Sequence, residues 1–199
     1  MAAAKTKTER IRAFVALDLD ATSLRRIVRT ADRLRMASGA PAATWTAGDK
    51  MHLTLKFAGE LDAAAAAPIG RALRELAEGK PPPAPCTVKL DAFPKMEHAR
   101  VVVAELVDAS GDITKLAASV DKLTAKHGVP KEDRPFRPHV TLARLKRPYD
   151  ARKWLRADVA EAAGECRCTT LTLYRSELKP EGSIYIPLAS FTFATDQRA

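Results

Sequence analysis

The sequence has few cysteines, no long apolar run and no glycine-rich phosphate-binding loop, and each shortage excludes a class of protein. Its three cysteines form an odd set without a secretory signal, so a disulfide framework is not expected. No apolar run approaches the roughly 18 to 20 residues that a membrane-spanning helix needs. Residues 1–10 are polar and basic, unlike a signal peptide. We therefore predict a cytoplasmic protein without membrane contact, with residues 1–10 as a disordered basic tail.

Several common catalytic motifs are also missing. The sequence contains neither the glycine pattern of nucleotide-binding loops nor a His-Glu-x-x-His motif, and no cluster of carboxylates indicates a metal site. Cys166 and Cys168 alternate on a predicted strand, but a metal site there would need further ligands, and none is near. No serine lies in the sharp strand-to-helix turn of a hydrolase nucleophile. The sequence predicts neither a metal nor a cofactor.

The size and charge of the chain are typical of a globular protein with an anionic partner. The chain has 199 residues, of which 46% are hydrophobic, enough for one core, and we predict a single domain over residues 11–195. We expect a monomer. The formal net charge of +9 favours a polyanionic partner such as nucleic acid, because lysine and arginine displace counterions from phosphates. This signal is supportive but not specific.

The apolar pattern predicts an α+β fold. Residues 11–19, 52–57, 87–93, 100–106, 139–145, 169–174 and 184–193 read as strands. Helical spacing of apolar residues marks helices around 24–34, 69–76 and 113–123, with a further helix near 151–163. The order of elements repeats, which predicts two pseudo-symmetric lobes of antiparallel sheet and helices around a central cleft. The proline-rich segment 81–85 is the predicted boundary between the halves.

One short phrase occurs twice, as His52–Leu55 and His139–Leu142, each reading His-x-Thr-Leu. Side chains on a strand alternate between faces, so each copy presents a histidine and a threonine on one face and two apolar residues on the other. A single copy is typical of a structural hydrogen bond. The duplication favours a functional pair.

Two such faces across a cleft would form an acid–base pair. One neutral imidazole accepts a proton from water, one imidazolium gives a proton to a leaving oxygen, and the threonine hydroxyls bind the non-bridging oxygens of a phosphodiester. Because the two phrases are alike, the residues alone do not indicate which histidine is the acid and which is the base. Arginines near the second copy, above all Arg137 and Arg144, suit the phosphate because the guanidinium donates two hydrogen bonds at once. Lys56, which follows the first copy, adds a further cation.

The paired phrases resemble the two-histidine (2H) phosphoesterase superfamily, and within it the RNA 2′,3′-cyclic phosphodiesterase family, called LigT or ThpR and historically 2′-5′ RNA ligase. The resemblance covers residues 10–193. Its matching stretches are residues 12–17, 45–60, 93–94, 134–144 and 173–185.

The resemblance implies a bilobal fold and hydrolysis of RNA 2′,3′-cyclic phosphate ends to 2′-phosphates, with minor 2′-5′ ligation as a secondary activity. It implies His52 as the proton donor, His139 as the proton acceptor, and Thr54 and Thr141 as phosphate contacts. The chain departs from the usual Phe-Leu-Gly after the first phrase, where it reads Phe-Ala-Gly, and lacks an aromatic residue often found near residues 102–103.

The aromatic residues Phe14 and Trp45 are candidates for stacking on a base, although a core role is the more common one for such side chains. Two alternative functions stay open. The first is the same chemistry on a small cyclic nucleotide or a 2′-5′ linkage, and the second is a non-catalytic RNA-binding module. In the preferred interpretation the partner is an RNA with a 2′,3′-cyclic phosphate end.

Overall fold

The protein forms one mixed α+β layer structure. A computed structural model describes residues 9–155, 164–180 and 182–194. The elements within these residues are β1 (Arg10–Leu19), α1 (Ala21–Met36), β2 (Ala43–Trp45), β3 (Leu53–Asp62), α2 (Ala63–Glu78), β4 (Cys86–Phe93), β5 (Ala99–Val107), α3 (Asp112–Ala125), β6 (His139–Tyr149), β7 (Glu165–Cys166), β8 (Cys168–Lys179) and β9 (Gly182–Thr192). The predicted α+β class is confirmed.

All described strands belong to one antiparallel sheet with the order β7-β4-β5-β6-β3-β1-β8-β9, and β2 pairs with β6. The two central strands, β3 and β6, each carry one copy of the repeated phrase. They meet at one registered pair, Leu53 with Val140, whereas β1–β3 and β5–β6 form long ladders. The sheet is therefore two halves joined at one point. The last two strands return to the first half, because β8 pairs with β1.

One hydrophobic core lies under the sheet. The apolar stripes of the three helices, for example Ile27, Leu73 and Val120, pack in the same cluster as Leu53 and Val140. The helices cover one face of the sheet, and the alternation of side chains leaves the polar residues of the repeated phrases on the other face. Within the described residues no helix is long and apolar enough to cross a membrane.

Three local predictions need correction or fall outside the described residues. Cys166 and Cys168 lie on different strands, β7 and β8, and both are buried free thiols. Residues 152–154 form a turn, and residues 156–163 of the predicted fourth helix lie outside the described residues. Residues 1–8 of the predicted tail also lie outside them, while Arg10 already pairs with Asp62.

Lys56, predicted as a further cation beside the first phrase, does not line the cleft that the two phrases share, although it borders an adjoining groove. An irregularity in the β1–β3 register follows Thr54, so Leu55 and Lys56 both turn away from the cleft face. Lys56 is only 5% exposed. Its Nζ donates to the carbonyl of Pro130 at 2.6 Å and lies 2.7 Å from Asp121. Lys56 thus connects β3 to α3 and to the loop that leads into β6.

Replacing this lysine should destabilise the protein strongly. Lys56→Ala leaves the Asp121 carboxylate without its partner in a largely buried position, and we expect the free energy of unfolding to fall by about 3 kcal/mol. Lys115→Ala is the matched control, because its pair with Asp112 is exposed, at 73% and 42% of the two side chains; a loss of at most about 0.5 kcal/mol is expected there. Urea unfolding measures both, and equal losses would contradict a structural role for Lys56.

Candidate active site

The central strand pair brings the two repeated phrases together. Continuing the Leu53–Val140 register by one position each way sets His52 opposite Thr141 and Thr54 opposite His139. The four side chains are half-buried and line one cleft, whereas Leu53 and Val140 point into the core. The arrangement has approximate twofold symmetry about the Leu53–Val140 pair.

Both imidazoles are held in the same way. Nδ1 of His52 lies 2.9 Å from the carbonyl of Lys50, and Nδ1 of His139 lies 2.7 Å from the carbonyl of Arg137, in each case two residues earlier. A carbonyl only accepts, so each Nδ1 carries the hydrogen and each Nε2 is the atom left for proton transfer. Nε2 of His52 lies 3.1 Å from the hydroxyl of Thr54.

A carboxylate stands beside each histidine on the next strand outward. Glu105 on β5 pairs with His139, and one further step of the β1–β3 register sets Asp18 opposite His52. The partners of the two carboxylates differ. Asp18 accepts hydrogen bonds from the hydroxyls of Tyr174 at 2.8 Å and Thr172 at 2.6 Å, both of which are uncharged donors.

Glu105, by contrast, forms an ion pair with an arginine. The guanidinium of Arg137 bonds to Glu105 at 2.9 Å and to Asp91 at 2.7 Å. Arg144 adds a second cation on this side of the cleft. The surroundings of His52 are therefore more negative than those of His139, although the two phrases are alike.

The pKa values reflect these surroundings. Burial lowers the pKa of His52 below its ordinary value, while the Lys50 carbonyl and the Asp18 charge oppose that shift. Burial also lowers the pKa of His139; its bond to the Arg137 carbonyl and the Glu105 charge raise it, and the charges of Arg137 and Arg144 lower it further. Burial and the nearby Asp18 charge raise the pKa of Tyr174, which keeps its hydroxyl protonated as a donor.

The cleft has a volume of about 440 Å³, a size that suits a small ligand such as one nucleotide. Its cations are Arg12, Lys50 and Arg144. The remaining lining residues outside the two phrases are Ala13, Phe14, Thr46, Phe57, Gly59, Phe93, Val101, Ser176, Leu178, Ser183 and Tyr185.

Matching irregularities in the two central strands direct one further residue from each into the cleft. In β6 the register shifts after Thr141, so Leu142 and Ala143 are both buried and Arg144 returns to the cleft face. In β3 a corresponding shift after Thr54 returns Phe57 to the cleft face, and this residue is 66% exposed. Strict alternation would have placed both on the core side, and bulges near active sites commonly redirect a side chain in this way.

The two predicted stacking aromatics have different positions. Phe14 lines the cleft but is only 3% exposed, and its ring stacks on His52 with centroids 4.8 Å apart. It supports the imidazole rather than offering an open face. Trp45 is not among the cleft-lining residues, and its ring packs edge-on against Trp154 at 6.2 Å. Sequence alone could not distinguish the two.

Arg137 also differs from its predicted position. It is not among the cleft-lining residues, and besides its two ion pairs it lies over the ring of Phe93, 4.5 Å from the centroid. Phe93 in turn contacts His139 edge-on, with centroids 4.9 Å apart. Within the structure Arg137 therefore holds His139 through its backbone carbonyl and through Phe93.

Five residues that shape the site have no role predicted from the sequence: Asp18, Phe57, Glu105, Tyr174 and Tyr185. Tyr185 contacts the His52 ring edge-on at 5.2 Å, and Tyr174 stacks on Phe14 at 5.1 Å. Phe14 and Asp18 lie four residues apart on β1, and this even spacing predicts that their side chains lie on the same face of the strand. The tyrosines come from distant strands and carry no local signal. Among the described residues, no group of three or more histidine, cysteine or acidic side chains is arranged to hold a metal ion.

Comparison with known proteins gives a consistent result. The 2′-5′ RNA ligase superfamily matches residues 23–180. An RNA 2′,3′-cyclic phosphodiesterase of Archaeoglobus fulgidus is 31% identical over 185 residues, which cover 91% of this chain and 99% of the relative. One of Aquifex aeolicus with the same name is 30% identical over 151 residues, covering 74% of this chain and 80% of the relative.

Solved structures agree on the fold. The crystal structure of Escherichia coli LigT complexed with 3′-AMP matches with a TM-score of 0.69 at 24% identity, covering 93% of this chain and 99% of that chain. A Thermus thermophilus protein matches with a TM-score of 0.69 at 26% identity, covering 94% and 100%. The sequence match spans most of the fold and includes both histidine phrases. The chain belongs to the 2′-5′ RNA ligase superfamily.

Proposed function

We propose that this protein hydrolyses RNA 2′,3′-cyclic phosphate ends to 2′-phosphates without a metal, with His52 as the acid and His139 as the base. One observation carries the proposal: two like-held imidazoles face one cationic cleft, each with Nδ1 on a backbone carbonyl and Nε2 left for proton transfer, and their charge surroundings differ. The names of the curated relatives support the choice of substrate.

His139 is the base because its surroundings disfavour the imidazolium. Its Nδ1–H is fixed on the Arg137 carbonyl, so the neutral ring presents the lone pair of Nε2 to the cleft. A water molecule there gives its proton to Nε2 as its oxygen bonds to phosphorus. The attack is in line with the bond between phosphorus and the 3′-oxygen.

His52 is the acid because the uncompensated charge of Asp18 favours its imidazolium. Its Nε2–H donates a proton to the 3′-oxygen as the bond from phosphorus to that oxygen breaks. The 2′-oxygen keeps its bond to phosphorus, which gives a 2′-phosphate and a free 3′-hydroxyl. One proton has moved from water to His139 and one from His52 to the product, and solvent exchange restores both rings.

The remaining cleft groups stabilise the charge that develops on the phosphate. The Thr54 and Thr141 hydroxyls are placed to donate to the two non-bridging oxygens. In the proposed complex the Nε2–H of His52 is directed to the 3′-oxygen, and the Thr54 hydroxyl, whose oxygen lies 3.1 Å from Nε2, donates its hydrogen to the phosphate. Arg144 supplies positive charge at the same side. These groups provide what the leaving and non-bridging oxygens need, so no metal enters the proposed step.

The charge and the cleft also bear on partners. The net charge of +9 favours RNA over a small nucleotide. With an RNA 5′-hydroxyl in place of water, the same two groups in the same roles support a minor activity that joins RNA ends through a 2′-5′ bond: the hydroxyl gives its proton to His139 as its oxygen bonds to phosphorus, and the 3′-oxygen leaves with the proton of His52.

Replacing either histidine should abolish most of the activity. We expect His52→Ala and His139→Ala each to lower kcat by about 10²–10⁴-fold, because each removes one proton transfer. The substrate is a short RNA with a 2′,3′-cyclic phosphate, and mass and phosphatase sensitivity identify the product as a 2′-phosphate.

The control for these variants is His98→Ala, an exposed histidine outside the cleft, which should retain full activity. Circular dichroism checks the folding of each variant, and excess chelator should leave the wild-type rate unchanged. Full activity in either cleft variant would refute the acid–base pair. RNA binding without turnover by the wild type would favour the binding-module alternative.

The pH profile should be bell-shaped and lie on the acid side of the ordinary histidine pKa of 6.5. Burial lowers both pKa values, so the acid limb of kcat/KM, set by His139, and the alkaline limb, set by His52, both move to lower pH. Bound phosphate raises both pKa values, so the kcat profile should lie at higher pH than that of kcat/KM.

Two matched substitutions test the roles of the flanking carboxylates. Asp18→Asn removes the charge that raises the pKa of His52, and should move the alkaline limb to lower pH. Glu105→Gln removes the charge that raises the pKa of His139, and should move the acid limb to lower pH. Rates over pH 4–9, with NMR titration of the ring protons, measure both. If both variants moved the same limb, the assignment of acid and base would fail.

A further inference from the structure

A second groove opens from the catalytic cleft. It has a volume of about 690 Å³ and shares five residues with the cleft: Thr54, Phe57, Phe93, Val101 and His139. Three phenylalanines and three arginines line it, namely Phe57, Phe93, Phe136, Arg100, Arg134 and Arg137. We call it the aromatic groove.

The aromatic groove offers both kinds of contact that a single nucleic-acid strand uses. Flat rings stack on bases, and arginines pair with backbone phosphates. Phe57 presents an open ring, at 66% exposure, where the groove meets the cleft. Phe136 is half-buried, so its ring is held against the core while one side borders the groove.

The charges of the groove are available to a ligand. The ion pairs with Asp91 and Glu105 occupy Arg137, but no carboxylate of the described residues lies within 4.0 Å of Arg100 or Arg134. Both of these arginines are exposed. Two further charged residues border the groove: Glu132, and Lys56, whose charge is paired with Asp121. The balance is cationic, which fits a polyanion better than an apolar peptide.

The position of the groove fixes which part of the RNA it would hold. His139 and Phe136 are three residues apart, a span of at most about 11 Å. A chain whose terminal phosphate lies at the histidines would therefore enter the groove with its next nucleotide. The geometry points to the aromatic groove as the binding site for the nucleotides on the 5′ side of the reacting RNA end. This inference rests on the proposed function and adds to it a preference for oligonucleotides.

The test compares a five-nucleotide RNA ending in a 2′,3′-cyclic phosphate with a nucleoside 2′,3′-cyclic phosphate, which is too short to reach the groove. In the double variant Arg100→Gln/Arg134→Gln, KM for the five-nucleotide RNA should rise about tenfold. The salt slope of log(1/KM) should fall by about 0.7 for each phosphate that the variant no longer neutralises. Hydrolysis of the mononucleotide should stay within about twofold of wild type, since neither arginine lines the cleft.

A second variant and a charge-matched control separate stacking from general electrostatics. Phe136→Leu keeps an apolar side chain but removes the ring, and should raise KM for the five-nucleotide RNA about fivefold with an unchanged salt slope. The control Arg29→Gln/Arg33→Gln removes two exposed charges from α1, away from both sites, and should match wild type for both substrates.

Three results would overturn the inference: equal losses on both substrates, no loss on the five-nucleotide RNA, or the same loss in the control. If the wild type hydrolyses neither substrate, the proposed function fails on its own. The groove is then judged by fluorescence anisotropy with a five-nucleotide RNA carrying a 2′-phosphate. Weaker binding in the groove variants alone would support the groove, and equal binding would refute it.

Discussion

The antiparallel contact between Leu53 and Val140 is the constraint on which the site depends. It is the single registered pair between β3 and β6, and it fixes how the two histidine phrases face one another. A slip by one residue would turn the polar faces into the core. A slip by two would set His52 directly opposite His139, with no threonine between them. The long ladders on both sides and the shared helical core hold this short junction in register.

Around this symmetric centre the chemistry is made asymmetric by the neighbouring strands. Each histidine has a carboxylate beside it, yet within the described part of the chain Asp18 accepts side-chain hydrogen bonds only from hydroxyls, whereas Glu105 is paired with Arg137. In a half-buried cleft, where water screens weakly, one uncompensated charge is enough to make two alike imidazoles differ in proton affinity. In the proposed mechanism, the difference between acid and base therefore comes from residues outside the repeated phrase.

The dependence of the site on neighbouring strands explains which features can be predicted from the sequence and which cannot. Alternation and helical spacing predicted seven of the nine described strands, the three described helices and a shared face for His52 and Thr54, because these patterns are local; the short strands β2 and β7 were not predicted. The roles of Asp18 and Glu105 depend on cross-strand register, and the burial of Lys56 depends on Asp121, 65 residues away in the chain. The two strand irregularities that redirect Phe57 and Arg144 leave no clear mark in composition. Such features arise from tertiary pairing, which a single sequence does not display.

In the proposed mechanism the guanidinium of Arg137 keeps its ion pairs and does not bind the phosphate beside His139. To reach the cleft its guanidinium would leave both Asp91 and Glu105, which are mostly buried, at 18% and 19% exposure of the side chains. Glu105 would then stand uncompensated beside His139 and favour the imidazolium, opposite to what a base requires. The ion pairs thus serve the chemistry by keeping the charge beside His139 balanced. Free arginines are better placed along the path of the RNA, where their charge attracts phosphate without disturbing the proton affinity of the base.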